Sequence, residues 1–167
     1  MSFKIKSIDT EYNGYKFRSR LEARWAVFFD EIGVEYAYEP QGWVLSTGVA
    51  YMPDFYLPKL KAYVEVKFQK LGIEDYLKAK NLCKETGERI LILDGDPSHR
   101  RFCSFIKDDN YAKGIRITEF NLILNDNKDD FRTDLEFIIR DQYELRGFQE
   151  ELEAIDKARG HRFGVYE

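Results

Sequence analysis

The sequence predicts an α/β fold with the element order helix, three strands, helix, strand, followed by a strand-and-helix extension. Three observations predict it. Leu21, Trp25, Phe28 and Ile32 recur at helical spacing across residues 19–33. Residues 51–57 and 62–67 are two runs rich in aromatic and β-branched residues, joined by Pro58, Lys59, Leu60 and Lys61, which is the pattern of a hairpin. Residues 89–93 (Arg-Ile-Leu-Ile-Leu) follow a second amphipathic helix and are continuously apolar, as in a strand buried on both faces of a sheet.

A chain of 167 residues, 44% hydrophobic and 16% aromatic, is long and apolar enough for one folded domain and argues against disorder. The net charge of −4 disfavours a simple non-specific nucleic-acid binder, which carries a basic surplus. The charge is uneven: residues 1–92 hold 14 Lys/Arg against 13 Asp/Glu, a net of +1, and residues 93–167 hold 12 against 17, a net of −5. Cys83 and Cys103 have no CxxC partner or nearby histidine, so buried free thiols are expected rather than a zinc site. With no signal-like N-terminus and no apolar run of spanning length, the expectation is a soluble, cytoplasmic protein without a membrane partner.

In chain order, residues 3–8 alternate as a short strand or extended arm, and Asn13-Gly14 is a turn signal. The first helix begins near Ser19 and stops at Gly33. Ser19 and Glu22 have the spacing of a capping box, which on residue chemistry alone is the favoured role of Glu22. Lys16, Arg18, Arg20 and Arg24 crowd the helix entrance; they suit either a solvated charged face or contacts to phosphates. Residues 34–38 alternate as a strand ended by Glu39-Pro40, and residues 41–45 begin another. The second helix spans residues 74–86, with Tyr76, Ala79, Leu82 and Cys83 inward and Gly87 as its stop. Beyond Pro97, residues 102–106, 115–120 and 122–124 read as added strands and residues 125–130 as a polar loop. A long amphipathic helix from Phe131 to Ile155, interrupted near Gly147, suits packing on the core, pairing with a second subunit, or contact with DNA. His99 and His161 lack partners at triad or metal spacing, so surface positions are expected for both.

The hairpin carries the chemistry. A turn centred between Lys59 and Leu60 sets Tyr56 opposite Tyr63, Asp54 opposite Glu65 and Met52 opposite Lys67, all on one face. Phe55, Leu57, Val64, Val66 and Phe68 then face a core. Two carboxylates about 5 Å apart repel by roughly 3 kcal/mol at an effective dielectric of about 20. A hard divalent cation relieves that repulsion, and Mg²⁺ suits one or two acids plus a substrate phosphate. Lys67, one same-face step beyond Glu65, could hold an attacking water. The alternative is the solvated face of an amphipathic hairpin, for which Val-Glu-Val-Lys alone is ordinary; Pro-Asp-Phe with Glu-Val-Lys eleven residues after its aspartate is far more specific.

Pro53-Asp54 followed by Glu65-Val66-Lys67 resembles the signature of the PD-(D/E)XK nuclease superfamily. Residues 17–26 (Phe-Arg-Ser-Arg-Leu-Glu-Ala-Arg-Trp-Ala) are similar to the first helix of its phage and prophage members, and the two matches span roughly residues 12–97. Phe68 departs from the pattern, since many members carry glycine there. The resemblance implies a restriction-endonuclease-like αβββαβ core, a central mixed sheet flanked by helices, over residues 1–97, with residues 98–167 as an extension packing on the same domain. It implies Mg²⁺, with Mn²⁺ as a substitute, held by Asp54, Glu65 and the Val66 carbonyl, with Glu22 drawn from its capping role to the metal. Lys67 would complete the catalytic set of Glu22, Asp54, Glu65 and Lys67. Lys16, Arg18, Arg20, Gln69 and Lys70 would bind nucleic acid. The implied activity is DNA endonuclease, leaving 5′-phosphate and 3′-hydroxyl ends, with no small-molecule cofactor. The carboxylate spacing is similar to that of phage junction-resolving enzymes that act as homodimers. The sequence leaves a rival from another class, a catalytically silent DNA-binding or assembly subunit, and does not choose between DNA and RNA.

Overall fold

The computed structural model describes residues 7–68, 71–98, 101–107, 115–120 and 148–164. Most of the arm expected at 3–8, Gln69 and Lys70, His99, the strand at 122–124, the loop at 125–130 and the long helix before Phe148 lie outside the described residues.

The chain opens with a hairpin of β1 (Thr10–Tyr12) and β2 (Tyr15–Phe17). Asn13 (φ 48°) and Gly14 (φ 80°) both take left-handed backbone at its tip, as a two-residue hairpin turn requires. The Asn-Gly pair announces the turn, whereas strands of three residues each are too short to show a pattern.

Helix α1 (Arg20–Glu31) starts at Ser19, whose Oγ accepts from the Glu22 backbone N–H at 3.2 Å. The strand expected at 34–38 is cut to β3 (Ala37–Tyr38), because Val34 N–H still donates to the Phe29 carbonyl (2.8 Å) as the chain unwinds from α1. β4 (Trp43–Val44) and β5 (Ala50–Tyr51) form a separate small hairpin. The run at 51–57 is therefore two strands rather than one: Tyr51 belongs to β5, and β6 covers only Phe55–Leu57. Pro53, which has no N–H to offer a ladder, lies in the break.

β6 and β7 (Ala62–Lys67) are joined by the 3₁₀ turn Pro58–Leu60 and by Lys61 in left-handed backbone (φ 49°). Their antiparallel register has the expected Tyr56–Tyr63 pair, but the ladder ends at Phe55–Val64. Asp54 therefore sits one step past the ladder, and Met52 has no place opposite Lys67. Helix α2 (Ile73–Thr86) then crosses over to β8 (Arg89–Asp94), which pairs parallel with β7. β9 (Arg101–Lys107) and β10 (Ile115–Phe120) extend the sheet antiparallel, giving the order β10-β9-β8-β7-β6-β3. α3 (Phe148–Gly160) closes the described chain.

The result is a mixed six-stranded sheet between two helical layers. On one face Phe55, Leu57, Val64, Leu91 and Leu93 pack with α1 and with Ala154, Ile155 and Ala158 of α3. On the other, Tyr63, Ile90, Ile92 and Phe105 pack with Ala79, Leu82 and Cys83 of α2. Ile90, Leu91, Ile92 and Leu93 of β8 are all buried, which explains its unbroken apolar run. Cys83 and Cys103 are buried and form no disulfide, and burial pushes the Cys83 thiol up to about 11. Phe68 does not join the core: β7 ends at Lys67, and the ring is 70% exposed.

Candidate functional site

The two faces of β7 divide its labour. Ala62 and Val64 supply the α1-side core, while Tyr63, Glu65 and Lys67 alternate onto the α2 side. Two ties fix the end of the strand. Gly95 N–H donates to the Lys67 carbonyl (2.7 Å), and the buried Trp25 indole N–H donates to the Gly95 carbonyl (2.9 Å). The last residue of β7 is thus bound to the turn after β8 and, through it, to α1.

Asp54 is held from both sides. Its carbonyl accepts from Glu39 N–H (2.7 Å), and its Oδ2 accepts from Val66 N–H (2.7 Å). In a pleated strand a residue's N–H and C=O lie along the same edge, so the Val66 carbonyl is also on the Asp54 side of β7. The structure thereby brings together Asp54, Glu65, Val66 and Lys67, although Asp54 and Glu65 are not a ladder pair. Burial, then the charges of Glu65 and Glu22, push the Asp54 carboxyl up to about 8. Glu65 is also raised: burial outweighs the opposing pull of Lys67.

The Lys67 ammonium lies 2.7 Å from Glu65 Oε1 and 3.1 Å from Asp75 Oδ1. Burial alone would lower its pKa, but Glu65 and Asp75 more than offset this and hold it above the ordinary lysine value. Lys67 is accordingly a cation at neutral pH, suited to orienting and polarising a group rather than to accepting a proton. The other oxygen of Glu65, Oε2, is buried with no hydrogen-bond partner among the described residues.

Two residues of this neighbourhood were not legible as site residues. Asp75, in the first turn of α2, also accepts from Gly72 N–H (3.3 Å), and its sequence signal is that of a helix-start acid. Tyr51 is buried, with its hydroxyl toward Glu65; burial, then the charges of Glu65 and Asp54, hold its pKa well above the ordinary tyrosine value. Only the docking of α2 and of the β4–β5 hairpin on the sheet reveals either contact.

Glu22 forms the capping arrangement. Ser19 Oγ–H donates to its Oε1 (2.7 Å), while Arg18 N–H (3.2 Å) and the Tyr38 hydroxyl (2.7 Å) donate to its Oε2. These bonds, at 8% exposure, hold it beside the Asp54–Glu65 pair, where its charge still acts on Asp54. Among the described residues, no three Asp, Glu, His or Cys side chains gather closely enough to hold a metal by themselves.

The basic residues are less concentrated than their sequence spacing suggests. Arg18 Nε contacts Glu39 Oε1 at 2.6 Å, one residue contact from Asp54, and stays well exposed. Lys16 is paired with Asp9 at 3.6 Å on the N-terminal hairpin, and Arg20 is exposed on the first turn of α1. Gln69 and Lys70 are outside the described residues. His161 is exposed and stacks edge-on against Tyr12 (ring centroids 5.2 Å).

The donor set fits a hard cation. Two confined carboxylates repel each other, one buried carboxylate oxygen has no described partner, and a backbone carbonyl lies on the same edge. Among the described residues no helix is long and apolar enough to cross a membrane. Comparison of the chain with protein-family models and with curated proteins finds no match.

Proposed function

We propose that this chain is a Mg²⁺-dependent endodeoxyribonuclease of restriction-endonuclease-like fold, with Mn²⁺ as a substitute, that hydrolyses phosphodiester bonds to 5′-phosphate and 3′-hydroxyl ends. The observation that carries the reading is the Asp54–Glu65 pair, half-buried, mutually repelling when ionised and flanked by an ammonium, with Glu65 Oε2 accepting no hydrogen bond among the described residues. Asp54, Glu65 and the Val66 carbonyl would hold the cation. When bound, it supplies Lewis-acid polarisation of the phosphoryl group and lowers the pKa of a water.

The chain's own groups do the rest. Lys67, a fixed ammonium, orients the attacking water and favours its deprotonated form through its charge. Glu22 holds no substrate; its negative charge strengthens the attraction of the Asp54 edge for a cation. Arg18, paired with Glu39 next to Asp54, and Arg20, exposed on the first turn of α1, are suited to the flanking phosphates. The water oxygen bonds to phosphorus in line as the bond from phosphorus to the 3′ oxygen breaks; the proton of the water passes to solvent, and the leaving 3′ oxygen takes a proton from solvent. Structure-selective cutting of branched DNA by a homodimer is a specialisation whose support is the similarity of the carboxylate spacing to that of phage junction-resolving enzymes.

The test is cleavage of supercoiled plasmid and of a four-way junction in Mg²⁺, Mn²⁺ or EDTA, by wild type and Glu65→Ala. Metal-dependent cutting lost in the variant supports the reading, and a preference for the junction supports the specialisation. DNA bound but never cut would mean a silent binding or assembly subunit instead.

A pH dependence follows from Asp54. Its folded-state pKa is raised, so its contribution to stability is fully present below the unfolded carboxylate value and is lost as pH rises through about 8. Cation binding needs the deprotonated form. Mn²⁺ affinity is therefore expected to climb by up to about tenfold per pH unit between about pH 6 and 8, while the cation-free protein loses stability over the same range. Thermal melts with and without Mn²⁺ check both signs, and a Mn²⁺-induced shift that does not grow with pH would count against Asp54 as a ligand.

A further inference from the structure

We infer that Asp75 is a positioning residue that pins Lys67 to Oε1 of Glu65 and so keeps the ammonium off Oε2, the oxygen left to a cation. The inference rests on the cation-binding reading above and assigns a role to a residue outside its catalytic set.

Three contacts carry it. Lys67 Nζ touches the Oε1 oxygen of Glu65 (2.7 Å), while Glu65 Oε2 is buried and accepts no hydrogen bond among the described residues, with the Tyr51 hydroxyl directed at the same carboxylate. An ammonium facing two carboxylates whose charges act on each other, as those of Glu65 and Asp54 do, would gain most by settling between them. Lys67 instead leans toward α2, where Asp75 Oδ1 receives it at 3.1 Å. Asp75 is itself fixed, because its second oxygen, Oδ2, accepts from Gly72 N–H (3.3 Å) at the start of α2. One carboxylate thus braces the helix start with one oxygen and draws the lysine away with the other. Without that anchor the flexible lysine stem is free to swing over Glu65 Oε2, and the ammonium then occupies the place of the cation.

The position also resolves a conflict built into the site. The same lysine must lie near Glu65 to act on a water, yet must not neutralise the acids that hold the metal. An anionic partner on a separate helix permits both, as outer partners of metal ligands do elsewhere.

The test uses Mn²⁺ alone, without DNA or turnover, on the full chain. Asp75→Asn keeps a carbonyl oxygen for the Gly72 N–H and removes only the charge, and far-UV circular dichroism and a melt in EDTA confirm the fold. Calorimetry is expected to show Mn²⁺ binding weakened by about tenfold in Asp75→Asn. In a Lys67→Met background, which keeps the stem and removes the ammonium, the same Asp75→Asn change is expected to cost less than about twofold. A tenfold loss that persists in Lys67→Met overturns the inference, because Asp75 would then act on the cation directly. Unchanged binding in Asp75→Asn overturns it as well and leaves Asp75 a helix cap. Wild type that binds no Mn²⁺ overturns the cation site and this inference together, which separates the failure of the reading from the failure of Asp75 alone.

Discussion

Asp54→Asn is expected to abolish cleavage, by more than about 10³-fold, and at the same time to stabilise the cation-free protein. The loss follows from removing one of two acids that hold the cation. The gain follows from the electrostatics of the empty edge. Burial and the charges of Glu65 and Glu22 act against ionised Asp54, and the hydrogen bond that its side chain accepts from Val66 N–H is kept by an amide oxygen. Asparagine therefore removes the repulsion without removing the hydrogen bond. At about pH 8.5 the melting temperature in EDTA should rise by about 2–4 °C for each kcal/mol of repulsion relieved. Adding Mn²⁺ should stabilise wild type and leave the variant almost unmoved. A variant less stable than wild type in EDTA would show that Asp54 serves the fold rather than the cation.

Phe55→Ala is expected to cost about 3–5 kcal/mol of stability, at the upper end of what a single core truncation does. Phe55 is fully buried, and rings from β2, α1, β3 and the approach to β3 meet it: Phe17 at 6.1 Å, and Phe29, Tyr36 and Tyr38 each at 5.5 Å between centroids. Its ring fills the seam between the N-terminal hairpin, α1 and β6, so truncation leaves a cavity that closes only if all of these elements move together. Since Phe55 follows Asp54 directly, activity should fall below the temperature of global unfolding. Urea denaturation measures the stability change; a loss below about 1 kcal/mol would mean that the aromatic cluster collapses around the void.

Much of this was legible because local signals agreed with tertiary needs. The Ser19–Glu22 spacing, the Pro58–Lys61 turn and the Gly87 stop each act within a few residues, and each stands where the pattern places it. The Tyr56–Tyr63 register follows from turn length alone. The features that local pattern hides depend on distant partners. The aromatic run at 51–57 looks like one strand, but Tyr51 turns to β4 and Asp54 leaves the ladder for the Val66 and Glu39 amides. Phe68 continues the apolar alternation of β7 past the point where β8 can support it. The Lys67–Asp75 contact crosses from strand to helix, and no spacing rule relates those positions.

The parallel pairing of β7 with β8 also sets when the site comes into being. The β6–β7 hairpin closes through a short turn and can form from local sequence, bringing Asp54 near Val66 early. Lys67 is fixed only after residues 68–88 have made their crossover and Gly95 has returned to bond its carbonyl. The contact from Trp25 to Gly95 spans 70 positions in sequence, and its loop closure comes later still. On loop-closure grounds the acids are expected to gather before the lysine is seated. An edge that is completed last can brace the native state against opening, yet offers the unfolded chain no template on which to nucleate.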